Sequence, residues 1–562
     1  KSSRLPPQVK IASYGKKDYT IKKRCGVQAA GQDAGDETMK RRDFCKGLAV
    51  TFAAGTLAPA AALPQAGAAT ALVGRAVPDD YYTLWYRSDR CGADLRHDYY
   101  YSDSLFDHPA TEYDNQLALA TLGMAAAADC TWESDQRYWM EGEVGRADHI
   151  RDAFAKLGFT EVQLFNYTHS LNDTPDTVGC AIARKTLVRG GRQVTIIGAF
   201  LRGSGYGAEW SGNLHAGPGS AHVGFVTAAR QLVEKIRAYV QASAKRQPLG
   251  TLKLWMGGYS RGGGVANLVA ARLPAVLPQL EKKNTFVYTF AAPASLTAAD
   301  CPDLQQDYDN NHAADGSLKK NWGTSNIFNI VSSGDVIPRI LPAEWGFYRN
   351  GNDRFLPSTV IPEELQALND RSAGMEGTPI DFGRLAVSEE TDAVLRSMMD
   401  LFCDRQTYYK GYEDAMRCML QCATTRTEEE VTRGIVRDDA AVVAQLRSME
   451  LMQRFPQEKV ERCVQAASAL SRPVLEKLGS AVPLQAQQIV IPMLAVGLCF
   501  ELQPETVQLV ADFVLSTITV KGQLSGILKT VLCHFQENYI TVLEAYDPAD
   551  HGMTPYTRRE EL

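Results

Sequence analysis

One serine lies in a glycine-flanked turn of sequence GYSRG, with Ser260 at its centre. The preceding segment TLKLWM predicts a strand, and the following segment GGVANLVAARL has apolar residues in helical phase. A G-x-S-x-G sequence between a strand and a helix is typical of a nucleophile elbow, a sharp turn that exposes the serine hydroxyl. Gly258 and Gly262 suit such a turn because backbone and helix crowd together there. The alternatives are a structural serine and a phosphate-cradling loop, but the motifs of phosphate and dinucleotide loops are missing.

A serine hydroxyl is a weak nucleophile near neutral pH and needs an adjacent base. On folds that use this elbow the chain order is serine, acid, histidine. Asp335 follows the predicted strand SNIFNIVSSG, and a carboxylate at a strand end points to the edge where such sites assemble. Only His534 and His551 follow this acid, and the polar surroundings of His551 favour His534. We therefore predict a Ser260–Asp335–His534 triad; a turn aspartate and a structural histidine are the alternatives.

Acyl transfer also needs hydrogen-bond donors for the charge that develops on the carbonyl oxygen. Arg261 begins the predicted helix after the elbow, where backbone N–H groups lack intrahelical partners and can face an anion. We expect the N–H of Arg261 to be one oxyanion donor. A second donor is expected from a loop at the end of an earlier strand.

The elements that must position these residues fall into two regions. From about residue 145 to 335 strands alternate with helices, for example the β-branched run RQVTIIGAF followed by the amphipathic segment FVTAARQLVEKIRAYVQASAK. This alternation predicts an α/β fold with a mostly parallel sheet and helices on both faces. From about 385 to 530 the periodicity is helical only, which predicts a large α-helical insertion or cap.

The composition and the net charge argue for a globular protein and against one class of partner. The 562 residues are 45% hydrophobic and 22% charged, as in ordinary globular proteins. The net charge of −6 argues against a nucleic-acid partner, which would favour a basic surface. The twelve-residue run IVIPMLAVGLCF has the length of a buried helix. Cys418 and Cys422, four apart on a predicted helix, are interpreted as core residues, and the pairing of other cysteines stays open.

Residues 39–69 have the features of an export signal. A basic start, MKRRDFCK, precedes a weakly apolar, alanine-rich stretch, and the small residues at 66–68 fit an A-x-A cleavage site. The paired arginines resemble a prokaryotic twin-arginine signal. We expect export to the cell envelope or the medium, with Met39 as the start and 1–38 as a non-native or disordered leader. A basic tail without function is the alternative.

Several motifs together resemble class 3 lipases, the fungal-type branch of the α/β-hydrolases. Between residues 194 and 342 they occur in the order GAFLRGSGYGAEW, HVGF, MGGYSRGGGVANLVA, FAAPAS and SGDVIPRILP. The later segment HFQENYITVL is similar to the H-x-x-E-x-Y ending of a bacterial lipase-like subgroup with a helical insertion. Arg261 stands where the family usually has leucine or glutamine. His222 in HVGF is predicted to be structural.

The resemblance implies an α/β-hydrolase fold with Ser260 as nucleophile, Asp335 as acid and His534 as base. It also implies that Ser204, together with Arg261, forms the oxyanion hole. An ester or lipid substrate is then expected, with transient contact with a lipid surface and with no metal or organic cofactor. Serine peptidase or acyltransferase activity, and a non-catalytic binding protein with a vestigial elbow, remain as alternatives. The oligomeric state is left open.

The predicted organisation places the α/β-hydrolase core at 70–345 and the mostly helical cap or insertion at 346–530. A C-terminal segment, 531–562, completes the core and carries the histidine. The helical region is expected to contribute to an acyl pocket or lid.

Overall fold

The computed structural model describes residues 80–88, 93–129, 147–167, 176–204, 207–219, 221–297, 324–332, 335, 337–339, 341, 345–356, 408–424, 437–478, 484–503, 507 and 533–545. All of them belong to one unit, Cys45–Leu562. The predicted leader, the export signal and His551 lie outside the described residues.

The described strands all lie before residue 356, whereas helices occur from residue 115 onwards. The strands are β1 (Tyr81–Ser88), β2 (Ala93–Tyr100), β3 (Thr160–Phe165), β4 (Cys180–Arg189), β5 (Arg192–Leu201), β6 (Thr251–Tyr259), β7 (Thr285–Phe290), β8 (Leu296–Thr297), β9 (Ile327–Val331), β10 (Phe347–Tyr348) and β11 (Asn352–Phe355). The helices are α1 (Asn115–Ala127), α2 (Asp148–Lys156), α3 (Gly207–Gly212), α4 (Val223–Arg246), α5 (Arg261–Val276), α6 (Glu413–Thr424), α7 (Asp439–Ser448), α8 (Gln457–Leu478), α9 (Leu484–Phe500) and α10 (Gln536–Ala545).

A seven-stranded sheet in the order β11-β9-β7-β6-β5-β4-β3 forms the centre of the fold. The neighbours from β11 to β5 are parallel, and the pairs β5–β4 and β4–β3 are antiparallel. The mostly parallel sheet is therefore confirmed. Strand β4 was not predicted, because only its first half is buried and its second half carries exposed polar residues.

Helices cover both faces of the sheet, as the alternation predicts. Alternate residues of β6 point to opposite faces: Trp255 joins a core cluster with residues of α1, α2 and α10, whereas Leu254 and Met256 join a cluster with residues of α4 and α5. All three β6 side chains are fully or almost fully buried. The strand that leads to the elbow is thus held rigidly on both sides.

The tyrosine-rich stretch RHDYYYSDSLF lies in and just after β2, which pairs with β1 in an antiparallel hairpin. Tyr99 and Tyr101 are buried in the same cluster as Trp255. The Tyr101 ring stacks on Trp255 with a centroid separation of 5.5 Å. These tyrosines therefore cover the sheet on the side of α1.

The region predicted as a helical insertion contains helices α6 to α9. Helix α9 packs against α8 and α6, and α6 also packs against α3 of the core. Cys418 and Cys422 are buried in α6 as free thiols, as expected of core residues. The run IVIPMLAVGLCF is the buried part of α9. Among the described helices, none is long and apolar enough to cross a membrane.

The sheet continues beyond the predicted end of the core at residue 345. Strand β11 pairs in parallel with β9 and forms one edge of the sheet, and it ends at Phe355. The segment NDRF has one apolar residue and its last three residues are half-buried, so it lacks the apolar run of the central strands. The sequence pattern alone therefore placed this short strand with the helical region.

Candidate active site

Ser260 follows β6 and precedes α5, as predicted for a nucleophile elbow. Its backbone has φ 54° and ψ −124°, a conformation that residues with a side chain rarely adopt. Its N–H donates to the carbonyl of Phe290 at 2.9 Å, which ties the turn to the end of β7. The strained turn therefore projects the hydroxyl from the sheet edge.

The two glycines of the motif are sterically required. A Cβ atom added to Gly258 would lie 2.4 Å from the carbonyl oxygen of Gly262. A Cβ atom added to Gly262 would lie 2.4 Å from the carbonyl oxygen of Arg202, at the end of β5. The start of α5 can therefore approach both its own strand and the neighbouring strand that leads to Ser204.

The structure brings Ser260, His534 and Asp335 together. The Nε2 atom of His534 lies 2.9 Å from Ser260 Oγ, and its Nδ1 atom lies 2.8 Å from Asp335 Oδ2. Because an ionised carboxylate only accepts hydrogen bonds, Nδ1–H is the donor and Nε2 accepts from the serine hydroxyl. The Asp335 side chain is fully buried while that of His534 is 16% exposed, so the imidazole reaches the surface and the carboxylate does not.

Asp335 is held by donors from three directions. Its Oδ1 atom accepts from the N–H of Ile337 at 2.9 Å, and its Oδ2 atom accepts from the hydroxyl of Tyr539 at 2.7 Å as well as from His534. Burial raises the pKa of Tyr539 well above its usual value, and the nearby Asp335 charge raises it further. Tyr539 therefore stays protonated, and its hydroxyl also accepts from the N–H of Ser332.

The histidine is positioned by its neighbours on the elbow as well. The hydroxyl of Tyr259, the residue before the nucleophile, donates to the backbone carbonyl of His534. The ring centroids of Tyr259 and His534 are 5.4 Å apart. Tyr259 was not predicted as a site residue, because nothing local distinguishes it from other buried strand tyrosines.

The structure places both predicted oxyanion residues beside the nucleophile. Arg261 follows Ser260 directly, and its N–H belongs to the first turn of α5. A Cβ atom added to Gly203 would lie 3.8 Å from the Cβ of Ser260, so the loop carrying Ser204 adjoins the elbow. Ser204 is buried, and its Oγ atom accepts from the side-chain amide of Asn213 at 2.9 Å.

The side chain of Arg261 has a separate, structural function. Its guanidinium is buried, donates to the carbonyl of Thr177 and to Asn213 Oδ1, both at 2.8 Å, and lies over the Phe225 ring. Burial lowers its pKa, which nearby acidic groups partly restore. Asn213 thus links Arg261 to Ser204. The arginine after Ser260 thus has buried partners for its side chain, and no local sequence pattern indicated Asn213.

His222 is structural, as predicted. Its Nδ1 atom accepts from the N–H of Phe225 at 3.2 Å and caps α4. Its Nε2 atom donates to the carbonyl of Asn213 at 2.9 Å. Burial lowers the pKa of His222 to about 3, so the ring is neutral at ordinary pH. It therefore supports the segment that carries Asn213.

We searched the described residues for groups of side chains that could bind a metal ion. Within the ranges that the structure describes, no three or more His, Cys, Asp or Glu side chains are grouped to hold a metal ion. The predicted absence of a cofactor stays a prediction.

Comparison with known protein families finds a similarity over part of the chain. A family model described as lipase (class 3) matches residues 204–345, which include Ser204, Ser260 and Asp335. No curated protein matches the chain by sequence.

Solved structures similar to the chain include fungal lipases. A Rhizomucor miehei lipase propeptide complex shares 19% identity with a TM-score of 0.29, over 43% of this chain and 68% of that chain. A lipase from Rhizopus microsporus var. chinensis shares 15% identity with a TM-score of 0.27, over 45% and 75%. Lipase II from Rhizopus niveus shares 15% with a TM-score of 0.27, over 43% and 80%. Residues 204–345 of this chain are therefore similar to class 3 lipases.

Proposed function

We propose that this chain is a serine hydrolase that cleaves carboxylic ester bonds through an acyl-enzyme on Ser260. The observation that carries the proposal is the continuous hydrogen-bonded chain from Ser260 Oγ through His534 to Asp335, with contacts of 2.9 and 2.8 Å. This is the arrangement that converts an inert hydroxyl into a nucleophile.

In the first half of the reaction, Ser260 Oγ attacks the ester carbonyl carbon while His534 Nε2 takes the hydroxyl proton. Asp335 stabilises the imidazolium that results and keeps the ring oriented. The N–H groups of Arg261 and Ser204 stabilise the negative charge on the carbonyl oxygen. Collapse of the tetrahedral intermediate breaks the ester C–O bond, and His534 returns the proton to the leaving alcohol.

In the second half, a water molecule attacks the acyl-enzyme and His534 accepts its proton. The intermediate collapses with release of the carboxylic acid, and the proton returns to Ser260. The 16% exposure of the His534 side chain supports this step, because the water must reach Nε2 from solvent.

We further propose that the helical region borders the acyl pocket of an ester or lipid substrate. The hydroxyl of Tyr408 donates to the carbonyl of Leu214 at 2.7 Å, and the N–H of Gly217 donates to Glu413 Oε2 at 3.2 Å. Both core residues lie shortly after the loop that carries Ser204. The helical region thus contacts the polypeptide next to the proposed oxyanion hole, where an acyl chain would enter.

The test uses the full chain and a fluorophosphonate, which modifies only an activated serine. Mass mapping is expected to find the label on Ser260. A panel of p-nitrophenyl esters from acetate to laurate, compared with peptide substrates, is expected to show ester cleavage only. Cleavage of peptides instead would favour a peptidase, and an unlabelled, inactive protein would favour a binding protein with a vestigial elbow.

Contact with a lipid surface is part of the same proposal. It predicts that the rate on a long-chain ester rises when the ester is present as an emulsion rather than as dissolved monomers. An equal rate per accessible ester would show that the enzyme acts on dissolved esters.

We also propose export through a twin-arginine signal in residues 39–69. The sequence MKRRDFCK and the small residues before position 69 support it. A variant with both arginines, Arg41 and Arg42, changed to lysine is expected to accumulate inside a bacterial host, whereas the unchanged chain is exported. Equal distribution of the two would contradict this proposal.

A further inference from the structure

A buried aspartate outside the triad links the two sides of the site. Asp129 follows the C-terminus of α1 and is only 7% exposed. Its Oδ1 atom accepts from the N–H of Gly203 at 2.9 Å. Its Oδ2 atom accepts from the side-chain amide of Gln536. The two oxygens of one carboxylate therefore hold two segments that are far apart in the chain.

Each of these segments carries a group that the proposed mechanism uses. Gly203 precedes Ser204, and its peptide group fixes the course of the loop. Gln536 begins α10, two residues after His534. The distance between the proposed oxyanion donor and the base thus depends on the two hydrogen bonds to Asp129. Loss of either bond would remove the direct link through Asp129 between the two segments.

In the described part of the chain, the charged groups around Asp129 include no cation that pairs with it alone. Two charged or titratable groups face it, Arg202 and His534. The guanidinium of Arg202 already forms two hydrogen bonds with Glu209, at 2.7 and 2.9 Å, so it has a carboxylate partner of its own. A buried carboxyl group without a cation of its own is costly to keep unless it is hydrogen-bonded, and the partners of Asp129 are Gly203 and Gln536.

We propose that Asp129 is a positioning residue for ester hydrolysis, which sets the spacing between the Ser204 loop and His534 without contacting the substrate. This inference rests on the proposed function. Its chemistry is hydrogen-bond acceptance at two oxygens, one for each segment. Misplacement of a catalytic group by about 1 Å can cost about 100-fold in rate.

The first test compares Asp129→Ala with Asp129→Asn. Alanine removes both acceptors, and kcat is expected to fall about 10- to 100-fold with KM nearly unchanged. Asparagine still accepts from Gly203, and its amide can donate to Gln536 Oε1, which is buried and has no hydrogen-bond partner among the described residues. We therefore expect Asp129→Asn to recover most of the activity.

Asp114→Ala is the matched control, because Asp114 caps the other end of α1 by accepting from the N–H of Leu117 at 2.8 Å. This change weakens the same helix without touching the site. It is expected to lower the melting temperature while kcat of the folded enzyme stays unchanged. A rate for Asp129→Ala equal to that of Asp114→Ala would overturn the positioning role.

Gln536→Ala tests the second contact and serves if Asp129→Ala does not fold. It is expected to lower kcat and the rate of fluorophosphonate labelling of Ser260 about tenfold, and the double variant with Asp129→Ala is expected to lose little more. Unchanged labelling of Gln536→Ala would overturn the inference alone. Absence of labelling and of esterase activity in the unchanged protein would instead overturn the proposed function, and the inference with it.

Discussion

The elbow and the histidine segment contribute to the same site but are specified in opposite ways. The elbow, residues 251–276, is built by adjacent elements, a strand buried on both faces, two glycines that permit close approach and a helix. The histidine segment, residues 533–545, is held by contacts with residues far away in the chain, namely Tyr259, Asp335 and Ser332. The position of Ser260 in the elbow is therefore specified by local sequence, whereas its contact with His534 is specified by tertiary structure.

The largest effect is expected from the elbow itself. Ser260→Ala removes the attacking atom and is expected to lower kcat on a p-nitrophenyl ester by about 10⁶-fold. Ser243→Ala is the matched control, because Ser243 is a buried serine in α4 whose Oγ has no hydrogen-bond partner among the described residues. A steady-state rate for Ser260→Ala close to that of Ser243→Ala would show that the chemistry lies elsewhere.

The histidine side is expected to show the next largest effect. Asp335→Asn loses the acceptor that fixes the tautomer of His534, and kcat is expected to fall about 10⁴-fold while the fold is kept. Asp353→Asn is the control, since Asp353 is a carboxylate in β11 that pairs with Arg349 at 2.6 Å. Comparable kcat values for the two variants would remove Asp335 from the mechanism.

Asp129, which links the Ser204 loop to the His534 segment, is expected to make the free energy of unfolding depend on pH. Burial raises the pKa of Asp129 to about 6 in the folded protein, although Arg202 and His534 lower it. A raised folded pKa for an acid means that the folded state binds the extra proton between about pH 4 and 6. The contribution of Asp129 to the free energy of unfolding therefore falls as pH rises through this range, by about 3 kcal/mol.

Chemical denaturation of the unchanged protein and of Asp129→Asn checks this value. The difference in unfolding free energy between the two is expected to change by about 3 kcal/mol from about pH 4 to pH 7, with the unchanged protein losing stability. A constant difference across that range would mean that Asp129 does not titrate there.

The smallest effects are expected from two variants that each remove one supporting contact, one beside the elbow and one beside the histidine segment. Asn213→Ala breaks the bridge from Arg261 to Ser204, and Tyr539→Phe removes one donor to Asp335. Each is expected to lower kcat about tenfold, since each variant removes a hydrogen bond with a charged group, Arg261 or Asp335, and such a bond contributes about 1.5 kcal/mol. Tyr239→Phe is the control, because its hydroxyl donates to the Glu161 carbonyl, away from the triad. A larger fall in kcat for Asn213→Ala than for Tyr539→Phe would indicate that activity depends more on the contacts beside the elbow than on those that hold Asp335.

The sequence alone predicts those parts of the site that depend on short-range patterns. The strand–elbow–helix unit, the acid after a strand and the two faces of helices all follow from local periodicity and spacing. Strand β4 and the edge strand β11 were not predicted, because their hydrophobic patterns are weak. Asn213, Tyr259 and Asp129 were also missed, since their partners lie distant in sequence and periodicity carries no information about such contacts.

The chain of contacts from Arg261 through Asn213 to Ser204 constrains how this protein can change. Replacing Arg261 alone by leucine would leave the side-chain oxygen of Asn213 without its guanidinium donor in the protein interior. The side chains at these three positions therefore depend on one another. A redesign of the loop that carries Ser204 should therefore exchange all three residues together.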